Sequence, residues 1–91
     1  MTTIEKAIAT YGVDMQLTVA VEEFSELIKE ICKLKRGNNN IDGITEEMAD
    51  CYIMLKQLEI IFDIDTGDIR HIINNKIDRL EKRLEKEGAN G

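Results

Sequence analysis

The sequence predicts an all-α protein of four helices, one short and three long, completed as a bundle by association with further copies. Proline is absent, and the glycines fall at intervals that leave room for helices between them. A chain of 91 residues buries only about 60 to 65 % of the surface that its unfolded form exposes, so its core is marginal alone. We therefore expect one domain over residues 1–91, with a core at about 14–86, that forms a homodimer or a homotetramer.

The first two helices are separated by a glycine. The short first helix is predicted from about Thr3 to Tyr11, where Gly12 offers a C-cap. The long second helix is predicted to begin after Asp14, as N-cap, and to end near Arg36. Its apolar residues recur at spacings of three and four, which indicates one buried stripe.

A polar loop is predicted at 37–43, and Thr45 is predicted to cap a third helix that reaches about Phe62. Apolar side chains cover almost the whole circumference of this helix. A helix that is apolar all round is buried on all sides. A chain this small cannot surround it, so we expect the third helix to lie against another subunit.

Asp65 or Thr66 is predicted to cap a fourth helix that ends near Lys86, with residues 87–91 as a frayed tail.

The charge balance excludes some functions. The 18 acidic residues outnumber the 12 basic ones, for a net charge of −6, so we expect no nucleic-acid partner. The longest apolar-rich segment, 48–62, is interrupted by polar residues, and we expect no membrane association. Cys32 and Cys51 have neither metal-site spacing nor the density of a disulfide scaffold, which favours reduced thiols and a cytoplasmic location.

Two pairs of carboxylates carry the candidate chemistry. Glu23 and Glu26 lie three residues apart on the second helix, and Glu47 and Asp50 lie three apart on the third. Side chains at this spacing share one helix face, so each pair can bind one cation. On a helical wheel the first pair lies at the edge of the apolar stripe, whereas Glu22 faces away. Four acids near a core repel one another unless a cation neutralises them.

The ligand types favour a hard cation. Four carboxylates without thiolate or imidazole suit Mg²⁺, or Mn²⁺, better than Zn²⁺, and a triphosphate can complete the coordination of Mg²⁺. The alternative is that the acids are solvated surface residues, but two pairs on successive helices favour a site. A di-iron bundle needs two Glu-x-x-His motifs. The single histidine, His71, cannot supply them and is interpreted as a surface or boundary residue.

The fourth helix carries a row of donors on its apolar side, namely Asn75, Lys76, Arg79 and Arg83. Lys76 falls inside the apolar stripe, and Arg79 and Arg83 lie at its edge. Arginine binds phosphate with a bidentate fork and lysine as a point charge. We expect this row to face the acids or a bound polyphosphate. The alternative is structural, with the cations paired to carboxylates of the site or of their own helix.

Three segments together resemble the MazG-like, all-α nucleoside triphosphate pyrophosphohydrolases. The segments are Glu22-Glu23-Phe24-Ser25-Glu26-Leu27, Glu46-Glu47-Met48-Ala49-Asp50 and Asn74-Asn75-Lys76-Ile77-Asp78-Arg79. They match the family's Glu-x-x-Glu, spacer, Glu-x-x-Asp signature and its later Asn-x-Lys-x-x-Arg element. The resemblance covers about Met15 to Leu84.

The resemblance implies a function and roles for these residues. It implies catalytic Mg²⁺ ligands at Glu23, Glu26, Glu47 and Asp50, with phosphate contacts from Lys76 and Arg79. The expected reaction cleaves a (d)NTP to (d)NMP and pyrophosphate. A related activity on phosphoribosyl-ATP is the alternative within this fold, and a non-enzymatic helical interaction module is the alternative outside it.

Two residue roles have alternative interpretations. The family pattern selects Asn74 as the phosphate-side amide, whereas the helical wheel selects Asn75. Gln16, one to two turns before Glu23, is either a base or sugar contact or an ordinary helical glutamine.

Overall fold

The computed structural model describes the backbone of residues 1–90 and the side chains of residues 1–88. Its helices are α1 (Thr3–Tyr11), α2 (Val13–Lys35), α3 (Ile41–Ile61) and α4 (Thr66–Asn90). No strand occurs in this part of the chain. The predicted all-α class, with one short and three long helices, is confirmed.

The junction of α1 and α2 depends on capping groups. Thr2 and Glu5 form a reciprocal capping box, in which each side chain accepts a hydrogen bond from the other residue's backbone N–H. Gly12 ends α1 at φ 89°, a conformation that favours glycine, and its N–H donates to the Ile8 carbonyl at 2.9 Å. The same glycine precedes α2 directly. Asp14 therefore lies in the first turn of α2 and is not its N-cap.

The start of α3 differs from the prediction. The loop ends at Asn40, and α3 begins at Ile41, four residues before the predicted cap. Thr45 lies inside the helix, where its hydroxyl donates to the Ile41 carbonyl at 2.8 Å. A threonine that bonds back to the preceding turn is satisfied within a helix. The preference of threonine for N-cap positions therefore gave the wrong start for α3.

α4 begins as predicted and is longer than predicted. Asp65 Oδ1 accepts a hydrogen bond from the Gly67 N–H at 2.6 Å, which satisfies one of the free donors of the first turn. The helix continues past Lys86 to Asn90. The residues predicted as a tail are thus helical to Asn90, and Gly91 lies outside the described residues.

α2 and α3 form an antiparallel pair, and three polar contacts define their register. Glu30 contacts Asn40, the carbonyl of Glu23 accepts from the Cys51 thiol, and Gln16 contacts Gln57. Residue numbers fall along α2 as they rise along α3, which is the pattern of an antiparallel hairpin. α1 packs across both helices. These three helices position the candidate site.

The core of this unit is small and partly polar. Its buried apolar residues are Ala20, Cys51 and Met54, and two glutamines are buried with them. Gln57, only 1 % exposed, accepts from Gln16 Nε2 at 2.6 Å and donates to the Gln16 carbonyl at 3.1 Å. Buried amides of this kind are tolerated because their hydrogen bonds are made. α3 buries this face only, and Tyr52, 68 % exposed, lies on its other side.

α4 projects away from the α1–α3 unit. Ile69, near its start, is half-buried, and residues 70–88 are all exposed. The radius of gyration is 17.3 Å, whereas a compact chain of this length has about 12 Å. None of the described helices combines the length and apolar character needed to cross a membrane.

Candidate metal centre

Three carboxylates from α2 and α3 meet between the two helices. Glu23, Glu47 and Asp50 are half-buried, and one carboxylate oxygen of each lies within 4.8 Å of the others. The antiparallel register places the middle of α2 beside the first half of α3, so residues 24 or more positions apart become neighbours. Three carboxylate oxygens at this spacing form a group that could hold one metal ion.

Glu26 borders this cluster. Its carboxylate lies 3.4 Å from the ammonium group of Lys29 on the solvent side of α2, and its charge contributes to the raised pKa values of Glu23 and Glu47. Glu22 is exposed, as the wheel predicted. Three of the four predicted carboxylates therefore meet, and the fourth lies beside them.

The carboxylates of the cluster destabilise one another's ionised form. Burial raises the pKa of Glu23, and a hydrogen bond with Asp50 and the charges of Asp50, Glu47 and Glu26 raise it further. Burial also raises the pKa of Glu47, with added repulsion from Asp50 first and then from Glu26 and Glu30. A nearby cation would reverse both effects, because opposite charge favours the ionised carboxylate.

One oxygen of the cluster has no partner. Glu47 Oε2 is buried and accepts no hydrogen bond from any described residue. An unpartnered buried oxygen is costly, and coordination to a cation is a way of satisfying it. The neighbouring Cys51 thiol is hydrogen-bonded to the Glu23 carbonyl at 3.7 Å, and burial raises its pKa, which keeps it protonated. The donor set therefore consists of carboxylate oxygens and fits Mg²⁺ or Mn²⁺.

The raised pKa values predict how stability depends on pH. Glu23 and Glu47 bind protons more tightly when folded, so their contribution to stability is full below their ordinary pKa of 4.5 and is lost as pH rises through the raised values. Without divalent cations, we expect the melting temperature to fall between pH 4.5 and neutrality. Glu5 and Glu30 have lowered pKa values. Their contribution to stability is therefore present above pH 4.5 and is lost as the pH falls below it.

Thermal melts in EDTA and in saturating Mg²⁺, across this pH range, measure the effect. Because Mg²⁺ competes with protons for the same oxygens, its stabilisation should grow as pH rises. A melting temperature that rises with pH in EDTA, over the range above 4.5, would contradict the assignment.

The basic row of α4 lies on the projecting helix. Lys76, Arg79, Leu80 and Arg83 line a shallow groove of about 370 Å³. These residues are exposed, and α4 does not pack across α2. Neither the site's acids nor the acids of α4 form an ion pair with the three cations within the described side chains. A single chain therefore does not bring the row to the carboxylates.

The side-chain amides predicted to contact the substrate lie in different environments. Asn74 is exposed, and Asn75 lies 3.3 Å from a ring nitrogen of His71, which is exposed as interpreted from the sequence. Gln16 is buried, with its amide group hydrogen-bonded to Gln57.

Two contacts near the site were not predicted from the sequence. Glu30 and Asn40 hydrogen-bond across the α2–α3 junction, and Gln57 pairs with Gln16 in the core. Signals for both were present. Glu30 lies one turn after Glu26 on the same face, Asn40 is a favoured N-cap residue just before the helix, and Gln57 interrupts an apolar run.

Comparison of the chain with family models, curated proteins and solved structures gives no match. The fold and the site define an all-helical protein with a three-carboxylate cluster between two antiparallel helices.

Proposed function

We propose that this protein is a Mg²⁺-dependent nucleoside triphosphate pyrophosphohydrolase of the MazG-like kind. The observation that carries the proposal is the convergence of Glu23, Glu47 and Asp50 within 4.8 Å, with one Glu47 oxygen buried and unpartnered. A like-charged cluster of this kind is destabilising without a cation. Its position inside the Glu-x-x-Glu and Glu-x-x-Asp segments links it to nucleotide hydrolysis.

In this proposal Glu23, Glu47 and Asp50 hold Mg²⁺, and Glu26 is the fourth ligand. When bound, Mg²⁺ supplies neutralisation and polarisation of phosphate oxygens. A carboxylate of the cluster orients a water and takes one of its protons. The water oxygen bonds to the α-phosphorus, and the bond from the α-phosphorus to the bridging oxygen of the β-phosphate breaks. The products are a (d)NMP and pyrophosphate, and positioning with charge stabilisation supplies most of the acceleration.

Lys76, Arg79 and Arg83 bind the phosphates in this proposal, with Asn74 or Asn75 beside them. Because α4 projects from its own chain, these residues come to the carboxylates from a second copy. Charge supports this arrangement. Residues 66–90 carry six basic and five acidic side chains, whereas residues 1–65 carry six basic and thirteen acidic ones. Residues 66–90 therefore have a net charge of +1 and residues 1–65 a net charge of −7, so α4 of one copy and the acidic unit of another attract each other.

A substrate panel tests the reaction. The purified protein is incubated with each (d)NTP and with phosphoribosyl-ATP in Mg²⁺, and the products are separated as nucleoside monophosphate, diphosphate, phosphate and pyrophosphate. We expect equal amounts of monophosphate and pyrophosphate from at least one substrate, and none in EDTA. Turnover of phosphoribosyl-ATP alone would select the related activity. Release of single phosphates, or no turnover at all, would contradict the proposal.

A helical interaction module is the second candidate, and exposed apolar surface favours it. Tyr52 and Leu55 on α3 and Ile72 and Ile77 on α4 are all exposed in the single chain. Metal titration separates the two candidates. A module with solvated acids gains no thermal stability from Mg²⁺ or Mn²⁺, whereas a carboxylate site is stabilised by the cation it binds.

A further inference from the structure

Asn40 occupies the N-cap of α3, but its side chain does not cap the helix. An asparagine at this position usually accepts a hydrogen bond from the first turn through Oδ1. Here Nδ2 donates to the carbonyl of Glu30 at 2.8 Å and to Glu30 Oε2 at 2.6 Å. Oδ1 is buried and has no partner among the described residues. The Asn40 side chain therefore links α3 to α2 and makes no cap hydrogen bond.

The Glu30 carboxylate is held from three sides. Asn40 binds Oε2, the Lys33 ammonium group lies 3.0 Å from Oε1, and the first turn of α3 passes beside it at Gly43. A Cβ atom added to Gly43 would lie 2.9 Å from Glu30 Oε2. Glycine therefore allows α3 to approach this carboxylate closely.

This contact lies one helical turn from the carboxylate cluster. Gly43 and Glu47 are four residues apart on α3, and Glu26 and Glu30 are four apart on α2, so each pair shares a helix face. One turn corresponds to about 5.4 Å along the axis. The charge of Glu30 also contributes to the raised pKa of Glu47, which agrees with this proximity.

We propose that Asn40 is a positioning residue for the metal centre: through its hydrogen bonds to Glu30 it fixes the first turns of α3 against α2 and so sets the position of Glu47 relative to Glu23. Asn40 itself touches neither cation nor substrate. The inference depends on the metal site of the proposed function. Groups hydrogen-bonded directly to metal ligands change metal affinity by about 10- to 100-fold, and Asn40, one contact further out, is expected at the lower end of that range.

Asn40→Ser tests the role without changing charge. Serine is as good an N-cap as asparagine, but its short side chain cannot bridge to Glu30. We expect the Mn²⁺ dissociation constant, measured by calorimetry on the whole chain, to rise by about tenfold. The melting temperature in EDTA should change little because a cap replaces the lost contact. Asn39→Ser, at the exposed preceding position, is the matched control and should bind Mn²⁺ like the parent.

Gly43→Ala tests the same contact from the other helix. The added methyl group displaces the Glu30 carboxylate from Asn40, while alanine favours the helix more than glycine does. We expect Mn²⁺ affinity to fall by about tenfold with a melting temperature in EDTA that is equal or higher. A purely structural role would move affinity and stability together.

Two results would overturn the inference in different ways. If the parent binds Mn²⁺ and both variants bind it equally well, Asn40 does not position the site, and the proposed function stands. If the parent binds no Mn²⁺, the proposed metal centre is wrong and the inference with it.

Discussion

Glu47→Gln is expected to abolish Mg²⁺-dependent (d)NTP hydrolysis. Glutamine has nearly the same shape but is neutral, so the site loses one of three converging charges and its one unpartnered buried carboxylate oxygen. Loss of a group that only hydrogen-bonds to a metal ligand typically lowers metal affinity or activity by about 10- to 100-fold. Loss of the ligand itself should therefore reduce kcat/KM by at least about 100-fold, measured as pyrophosphate release at saturating Mg²⁺.

The same substitution should have the opposite effect on the metal-free protein. In EDTA, the neutral glutamine removes the repulsion from Asp50, Glu26 and Glu30 that raises the pKa of Glu47. The variant should melt at a higher temperature than the parent in EDTA at neutral pH, and Mg²⁺ should no longer stabilise it. This combination distinguishes loss of a ligand from general destabilisation.

Glu46→Gln is the matched control. Glu46 is the preceding residue, is exposed, and raises the pKa of Glu47 less than Asp50, Glu26 and Glu30 do. It should retain turnover and Mg²⁺ stabilisation. Equal activity in Glu47→Gln and the parent, or equal loss in both variants, would contradict the assignment of Glu47 as a ligand.

The two carboxylate pairs were predictable because each pair depends on local helix geometry. Spacing of three along a helix places two acids on one face, and the wheel separated the half-buried Glu23 from the exposed Glu22. The register that brings α2 to α3 is not local. It depends on the packing of the helix faces and on contacts such as Gln16 with Gln57, which no spacing rule indicates. The sequence therefore predicted the pairs but not which three carboxylates meet.

The position of α4 was not predictable for a different reason. Its apolar stripe shows that the helix buries one face, but a stripe does not say whether the covering surface belongs to the same chain. The basic row has the same ambiguity, because Lys76 lies within that stripe. The row is predicted to face the acids or a bound polyphosphate. Within the single chain it does not face the acids and is exposed.

Ile77→Lys is expected to reduce self-association strongly. Ile77 lies in the apolar stripe of α4 and is 58 % exposed in the single chain. Burying an isoleucine side chain contributes about 1.5 to 3 kcal/mol, and a symmetric dimer buries it twice. Loss of about 3 to 6 kcal/mol weakens dimerisation by about 10² to 10⁴-fold. Light scattering after gel filtration should show the parent at a multiple of 10.4 kDa and the variant at 10.4 kDa.

His71→Lys provides the control because it adds the same charge at an exposed residue outside the apolar stripe of α4. It should associate like the parent.

Ile77→Lys also separates metal binding from catalysis. The carboxylates lie within one chain, so this variant should still bind Mn²⁺. It should lose (d)NTP turnover because Lys76 and Arg79 no longer come from a partner. A monomeric parent, or a monomeric variant with full turnover, would show that α4 does not complete the site in a second copy.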